Sequence, residues 1–289
     1  MTIPTSHTVG EIERPKWSHL QFSEDPAKHI ALASLEPLEE SQFLQELKER
    51  VATQGTALIF VHGYNVKFAD AARRTAQIAY DLKFHGVPMF FSWPSTGTYF
   101  GYPEDEDNVV FAVPHLKQFI ENVAATQGVK SIYLIAHSMG TRALTQAVAE
   151  LSRDKPAVGA KLREVILAAP DIDAQVFKRD IVPAIAGADR SVTLYASSRD
   201  MALLASKKWH GNPRAGDSGA SLVVANGVST IDSSDVDTGL LGHTYFAEAG
   251  SIIADILAIL AGQTDPGKRP PLVSATSADG TYWKMPAHR

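Results

Sequence analysis

Residues 132–140 read Ile-Tyr-Leu-Ile-Ala-His-Ser-Met-Gly, and this stretch decides the fold. The apolar, β-prone residues 132–135 predict a buried strand, and residues 141–151 predict a helix. Between them, small residues stand two positions before and after Ser138, which lets strand and helix pass closely. Such a turn projects the hydroxyl of Ser138 beside the N–H groups that open the helix. The pattern predicts a serine nucleophile; the alternative is that Ser138 only caps the helix.

A histidine follows the last predicted strand of the alternating part of the chain. Residues 228–232 predict that strand, Gly242-His243 follows after a loop, and residues 246–261 predict an apolar helix. In folds that carry a serine nucleophile on a strand-to-helix turn, the general base lies between the last strand and the last helix. His243 is therefore the candidate. His210 is the alternative, but it lies in a loop rich in Gly, Pro and Asn.

Two aspartates are candidates for the acid that orients the histidine. Asp200 follows the predicted strand at 192–196, and Asp171 follows the predicted strand at 165–169. Both should emerge at the carboxyl edge of the sheet, and both give the chain order Ser, Asp, His. We favour Asp200 because the acid more often follows the penultimate strand, and we retain Asp171 as the alternative.

These motifs together resemble the α/β-hydrolase superfamily, and more closely a bacterial family of mostly uncharacterised α/β hydrolases. The resemblance spans about residues 25–262. The shared motifs, in chain order, are Phe-Val-His-Gly-Tyr-Asn at 60–65, Phe-Ser-Trp-Pro-Ser at 91–95, Ala-His-Ser-Met-Gly at 136–140, Ala-Ala-Pro-Asp-Ile-Asp at 168–173, Tyr-Ala-Ser-Ser-Arg-Asp at 195–200 and Gly-His-Thr-Tyr-Phe at 242–246.

The resemblance implies an oxyanion hole formed by backbone N–H groups. In such hydrolases the His-Gly turn after a strand opens the oxyanion loop, and the residue after the nucleophile gives the second donor. The N–H groups of Tyr64 and Met139 take these roles here, and each donor is worth roughly 3 kcal/mol in the transition state. His62 is expected to hold the loop by hydrogen bonds rather than to transfer protons.

The implied activity is that of a serine esterase, lipase-like in its chemistry, that cleaves carboxylic esters through an acyl-enzyme. The triad would be Ser138, His243 and Asp200, acting on a small-molecule ester with no cofactor and no metal. Two alternatives stay open. One is hydrolysis of an amide, thioester or lactone, and the other is a non-catalytic α/β-hydrolase scaffold used for binding.

Composition limits the other classes of function. The 289 residues suffice for one large α/β domain, and a net charge of −5 makes nucleic acid an unsuitable partner. The absence of cysteine excludes disulfides and a cysteine nucleophile. No stretch is long enough to insert into a membrane and no signal peptide is evident, so a cytoplasmic location is expected. The sequence leaves the oligomeric state open.

The organisation along the chain predicts one central domain with two flanking segments. Residues 1–25 should form an arm, residues 26–262 the α/β-hydrolase domain and residues 263–289 a loosely held tail. Alternating strands and helices predict a mostly parallel sheet covered by helices on both faces. The predicted strands are 57–61, 87–92, 131–136, 163–169, 192–196 and 228–232, and a short early strand is expected at 30–33.

Two loops are candidates for the walls of a substrate pocket. The segment 92–107 carries Trp93, Tyr99, Phe100 and Tyr102, which line a pocket or pack locally. Residues 209–226 are rich in Gly, Pro and Ser and are expected to border the entrance. Residues 170–191 hold only about one helix, so no large cap domain is expected and the site should be fairly open.

Overall fold

The computed structural model describes residues 1–15, 23–187, 190–236 and 245–287. Within these ranges the side chains of Tyr99, Tyr245 and Phe246 are not described. The candidate base His243 lies outside the described residues.

Eight strands of the described chain form a single sheet in the order β2-β1-β3-β4-β5-β6-β8-β7. The first six pair in parallel, β8 pairs in parallel with β6, and β7 pairs antiparallel with β8 at the edge. The strands are β1 (Thr56–Val61), β2 (Val87–Phe91), β3 (Ser131–His137), β4 (Leu162–Ala168), β5 (Ser191–Ala196), β6 (Ser229–Asp232), β7 (Val273–Ser277) and β8 (Gly280–Lys284). The predicted α/β-hydrolase architecture without a large cap domain is confirmed.

Helices follow most of the parallel strands and cover both faces of the sheet. They are α1 (Glu40–Val51), α2 (Phe68–Asp81), α3 (Tyr102–Ala125), α4 (Gly140–Asp154), α5 (Pro156–Gly159), α6 (Ala174–Val176), α7 (Val182–Ile185), α8 (Met201–His210), α9 (Tyr245–Glu248) and α10 (Gly250–Leu260). A π-helical turn, Phe177–Ile181, joins α6 to α7. It ends two residues before Pro183, which has no backbone N–H to donate the next hydrogen bond of an α-helix.

The central strands are apolar along almost their whole length because helices cover both sides of the sheet. Strand β1 buries five successive residues from Ala57 to Val61, and β3, β4 and β5 are nearly as buried. One cluster of buried side chains packs α3 and α4 on one face, and a second packs α10 on the other. This rigid sheet fixes the positions of the loops at its carboxyl edge.

The two flanking segments differ from the simple arm and tail expected from sequence. Residues 30–33 contribute one isolated bridge, between Thr2 and Ala31, rather than an early strand. The segment expected to be loosely held instead contains the hairpin β7–β8, which extends the sheet. Its two-residue turn precedes Gly280, whose φ of +133° favours glycine. The hairpin was missed because its strands are short, polar and half-exposed.

None of the helices in the described ranges combines the length and apolar character needed to cross a membrane.

Candidate active site

Ser138 lies on the turn between β3 and α4, and its backbone is in the left-handed region with φ of +52°. This conformation costs a non-glycine residue roughly 1–3 kcal/mol, so the surroundings must hold it. The Ser138 N–H donates to the carbonyl of Ala168 at 2.9 Å. Its carbonyl accepts from the Oγ1 of Thr141 at 2.6 Å and from the Thr141 N–H at 3.0 Å. The turn is therefore fixed from both sides, as a nucleophile elbow requires.

Two glycines let the loop after β1 approach this elbow. A Cβ atom on Gly140 would lie 2.2 Å from the carbonyl oxygen of His62, which no side chain can occupy. A Cβ atom on Gly63 would lie 3.0 Å from the Cβ of Ser138. The His-Gly turn thus lies directly beside Ser138, and Tyr64 is the next residue along the chain.

His62 holds this loop through several contacts. Its Nδ1 contacts the Gly63 carbonyl at 2.8 Å, and its Nε2 contacts the Oγ of Ser92 at 3.3 Å. The Trp93 ring stacks on the imidazole, and its Nε1–H donates to the His62 carbonyl at 2.7 Å. Burial lowers the pKa of His62, although nearby hydrogen bonds and Asp105 oppose the shift. Trp93 therefore supports the loop and is buried, which agrees with the local packing that the sequence offers beside the pocket role.

Backbone strain is concentrated at this edge of the sheet. Four described non-glycine residues have positive φ: Asn65, Lys83, Ser138 and Ala169. Three of them, Asn65, Ser138 and Ala169, follow the neighbouring strands β1, β3 and β4. Strained residues gather where a site must hold particular groups in place, so the carboxyl edge is the candidate site.

Asp200 lies at the same edge, four residues after the end of β5. It is fully buried and caps α8, with Oδ1 accepting from the N–H groups of Ala202 at 3.1 Å and Leu203 at 3.0 Å. The cap fixes the orientation of the carboxylate.

Asp171, the alternative acid, is the centre of a buried polar cluster. Its Oδ1 accepts from Arg214 Nε at 2.8 Å and from Ser206 Oγ at 2.6 Å. Its Oδ2 accepts from Arg142 Nη2 at 3.2 Å and from the Tyr102 hydroxyl. We call these five residues the Asp171 centre. It joins α3, α4, α8 and the loop at 213–217.

The charges of this centre keep Asp171 ionised. Burial alone would raise the pKa of Asp171, but Arg142 and Arg214 outweigh it, with further help from Ser206 and Tyr102. The net shift lowers the pKa of Asp171. Both carboxylate oxygens already serve donors other than histidine.

His210, the alternative base, is held on the outer side of this centre. Its Nε2 contacts Glu106 Oε1 at 2.9 Å, and its Nδ1 contacts the Ser206 carbonyl at 2.9 Å. Glu106 also pairs with Arg142 at 2.7 Å. Both ring nitrogens of His210 are thus engaged in the network that surrounds Asp171.

The expectation of a fairly open site stays a prediction, and the serine itself has little exposed surface. Ser138 is 3% exposed, although the described residues contain no large cap domain. The cause is local, because the Gly63 turn and the segment after β4 close over the elbow from two sides.

An open cleft of about 400 Å³ lies beside the loop that follows β1. The 100–103 segment forms one wall and α8 the other. We call it the aromatic cleft; its lining includes Tyr64, Phe100, Tyr102, Ala205, Ser206 and Trp209. Phe100 and Tyr102 were candidates from sequence, whereas Trp209 was expected only at the border of the entrance.

No group of three or more potential metal ligands converges among the residues that the structure describes.

Comparison with known proteins assigns the chain to a family. Residues 38–262 match the model of a family described as alpha/beta hydrolase of unknown function, DUF900. An uncharacterised protein, alr1448, of Nostoc sp. is 28% identical over 149 residues, which is 43% of this chain and 38% of that relative. The aligned part therefore spans well under half of the relative's length.

Solved structures with a similar architecture include hydrolases. A CIB-like hydrolase of Thermoplasma acidophilum is 14% identical and has a TM-score of 0.44, covering 73% of this chain and 88% of that protein. A dienelactone hydrolase of Anabaena variabilis is 13% identical and has a TM-score of 0.45, covering 72% of this chain and 84% of that protein.

The fold and the serine elbow define an α/β hydrolase. Because the family model covers most of the chain, the protein belongs to the DUF900 family of α/β hydrolases.

Proposed function

We propose that this protein is a serine hydrolase that cleaves carboxylic esters through an acyl-enzyme. The observation that carries the proposal is the strained elbow at Ser138, with φ of +52°, fixed by hydrogen bonds on both sides and placed beside the Gly63 turn. Backbone strain of this kind costs free energy and is concentrated at functional sites, where it holds a reactive group in place. The strain at Ser138 therefore supports its role as the nucleophile.

In the proposed first step, the Ser138 oxygen attacks the ester carbonyl while His243 takes its proton. The N–H groups of Tyr64 and Met139 donate to the oxyanion that forms. His243 then gives the proton to the departing alcohol, and the acyl group stays on Ser138. Water repeats the sequence, and the acid leaves with Ser138 restored.

Asp200 is the proposed partner of His243, and the contacts of the two aspartates support this choice. Asp171 already accepts from two arginines, a serine and a tyrosine, so an imidazole would have to displace one of them. Asp200 is buried at the same edge and is aligned by the N-terminus of α8. We therefore assign Asp171 a structural part and Asp200 the part of the acid.

The test is the rate of p-nitrophenyl ester hydrolysis by the full-length protein. Ser138→Ala should lower kcat by about 10⁴-fold or more, because no other group replaces the nucleophile. The matched control is Ser152→Ala on the same helix α4, where the hydroxyl bonds only the Val148 carbonyl among the described contacts. A loss below tenfold in Ser138→Ala would exclude Ser138 as the nucleophile.

Amide and thioester substrates in the same panel determine which acyl bond is preferred.

A further inference from the structure

The aromatic cleft has the chemistry of a site for an apolar chain. The rings of Tyr64 and Tyr102 meet edge to face with centroids 5.3 Å apart. The opposite wall, on α8, carries the small side chains of Ala202 and Ala205. Among the described residues that line it, none carries a charged side chain. Its volume of about 400 Å³ falls within the range of small-molecule sites.

Two large rings stand at the mouth of this cleft and face solvent. Phe100 is 97% exposed and Trp209 is 68% exposed. Met201 and Leu204 on α8 are also exposed, so apolar surface continues along this helix. Exposed aromatic surface beside a cleft is a site where an apolar ligand gains by removing surface from water.

The floor of the cleft is held at a fixed width. The Tyr102 hydroxyl on one wall and the Ser206 hydroxyl on the other both donate to Asp171, and they contact each other at 3.0 Å. Burial, and then the charge of Asp171, raises the pKa of Tyr102, so its hydroxyl stays protonated. The hydroxyls of Tyr102 and Ser206 are therefore turned toward the buried carboxylate.

The cleft also adjoins the proposed reacting centre. Tyr64 lines it with its side chain, while the Tyr64 N–H is the proposed oxyanion donor. The cleft and the proposed oxyanion site therefore share Tyr64, and the proposal places one substituent of the ester carbonyl on the cleft side of this residue.

We propose that the aromatic cleft binds the acyl chain of the ester, and that the substrates carry an uncharged, apolar acyl group of medium length. This inference rests on the proposed function. It assigns Phe100 and Trp209 as specificity-determining residues, and it gives the Asp171 centre the task of positioning the two walls.

The experiment compares kcat/KM for p-nitrophenyl acetate, butyrate and octanoate. Each methylene that enters the cleft should raise kcat/KM about fourfold, the equivalent of about 0.8 kcal/mol. Trp209→Ala and Phe100→Ala should each lower the octanoate-to-acetate ratio at least tenfold. Ala205→Phe, which fills the cleft, should shift the preference toward acetate.

The matched control is Phe111→Ala on α3. Phe111 is 66% exposed and is not among the lining residues of the cleft, so its removal should leave the ratio unchanged. An octanoate-to-acetate ratio in Trp209→Ala and Ala205→Phe equal to that of the parent would overturn the cleft assignment.

A binding measurement separates this proposal from the proposed function. The uncharged ketone 2-decanone is titrated into Ser138→Ala, with and without Trp209→Ala, and followed by calorimetry. Binding that weakens at least tenfold without Trp209 supports the cleft even if no ester is hydrolysed. If hydrolysis depends on Ser138 but the affinity for the ketone is unchanged in Trp209→Ala, the proposed esterase activity stands and the cleft assignment is overturned.

Discussion

Strand β4 connects two buried charge clusters that differ in how well their polar atoms are satisfied. Beyond its carboxyl end lies the Asp171 centre, where one carboxylate accepts four hydrogen bonds. Near its other end, Glu164 faces a cluster under α10 that includes Asp255, Arg269 and Tyr195, which we call the Arg269 centre. There the Tyr195 hydroxyl and Arg269 Nη1 both donate to Asp255 Oδ2, at 2.5 and 3.3 Å.

The Arg269 centre leaves many polar atoms without partners. Among the described residues, five such buried atoms lie on four residues of this region: Glu164 Oε2, Thr193 Oγ1, Asp255 Oδ1, and Nε and Nη2 of Arg269. Burial raises the pKa of Asp255 and raises the pKa of Glu164 to about 7, with opposition from Arg269 in both cases. The pKa of Asp171 moves the other way, because its carboxylate is fully paired.

The difference indicates where the fold has precise geometry to maintain. A buried ion pair is weak evidence for stability, since desolvation offsets its attraction unless all its lone pairs and protons are satisfied. The Asp171 centre meets that condition and holds the loops around Ser138 and the walls of the aromatic cleft. The Arg269 centre does not meet it, and it joins β5 to α10 and the segment after α10.

The largest expected effect comes from replacing each centre with apolar residues. Asp171→Leu combined with Arg214→Met should lower the free energy of unfolding by about 3–5 kcal/mol, because Arg142 keeps, among the described carboxylates, only the partly exposed Glu106, and the Tyr102 and Ser206 hydroxyls lose their buried acceptor. The measurement is urea unfolding of the full chain. A loss below about 1 kcal/mol would remove the contrast between the two centres.

The matched replacement is Asp255→Leu with Arg269→Met and Tyr195→Phe. Here the free energy of unfolding should stay equal or rise by about 1–4 kcal/mol, since the removed groups include unsatisfied buried atoms. A loss as large as at Asp171 would show that the two centres contribute equally to the free energy of unfolding.

The next largest effect concerns the two glycines that begin α4 and α10. Gly140→Ala should cost about 1–3 kcal/mol, because the new Cβ would overlap the His62 carbonyl and push the loop after β1 away. Its kcat on esters should fall at least tenfold. Gly250→Ala is the control, since a Cβ there meets no atom within 4 Å. Equal behaviour of the two variants would mean that the elbow is not tightly packed.

The smallest effect concerns the pH dependence of stability. The raised pKa of Glu164 means that the folded protein keeps a proton that the unfolded chain releases, so stability falls as the pH rises from about 4.5 through about 7. Glu164→Gln should remove this fall and be more stable than the parent at pH 8 by roughly 1–2 kcal/mol. Unfolding in urea at pH 5 and pH 8 measures it. An unchanged slope in Glu164→Gln would contradict the assignment.

The lowered pKa of Asp171 acts in the opposite direction. Its carboxylate contributes stability above its usual pKa, and this contribution is lost as the pH falls toward the lowered value. Asp171→Asn should therefore reduce the loss of stability in acid, whereas Glu164→Gln changes the neutral range.

Local patterns sufficed to predict the elements that form the site. Apolar runs predicted the strands β1 to β6, and the small residues around Ser138 predicted the elbow, because both signals lie within a few neighbouring residues. The same is true of the Gly63 turn, where the close approach to Ser138 requires glycine.

The partners of Asp171 could not be predicted, because they come from four separate parts of the chain. Arg142, Ser206 and Arg214 lie 29, 35 and 43 residues from Asp171, and only the tertiary fold brings them together. Trp209 was assigned to a loop because glycine and proline follow it, although α8 continues to His210. His243 lies outside the described residues and stays a prediction.

The central claim is that Ser138 is the nucleophile, and covalent labelling tests it most directly. The folded protein is treated with a fluorophosphonate, digested, and searched by mass spectrometry for modified serines. The account predicts one adduct, on Ser138, and none in Ser138→Ala. An adduct on a different serine, or ester hydrolysis that survives without any adduct on Ser138, would contradict it.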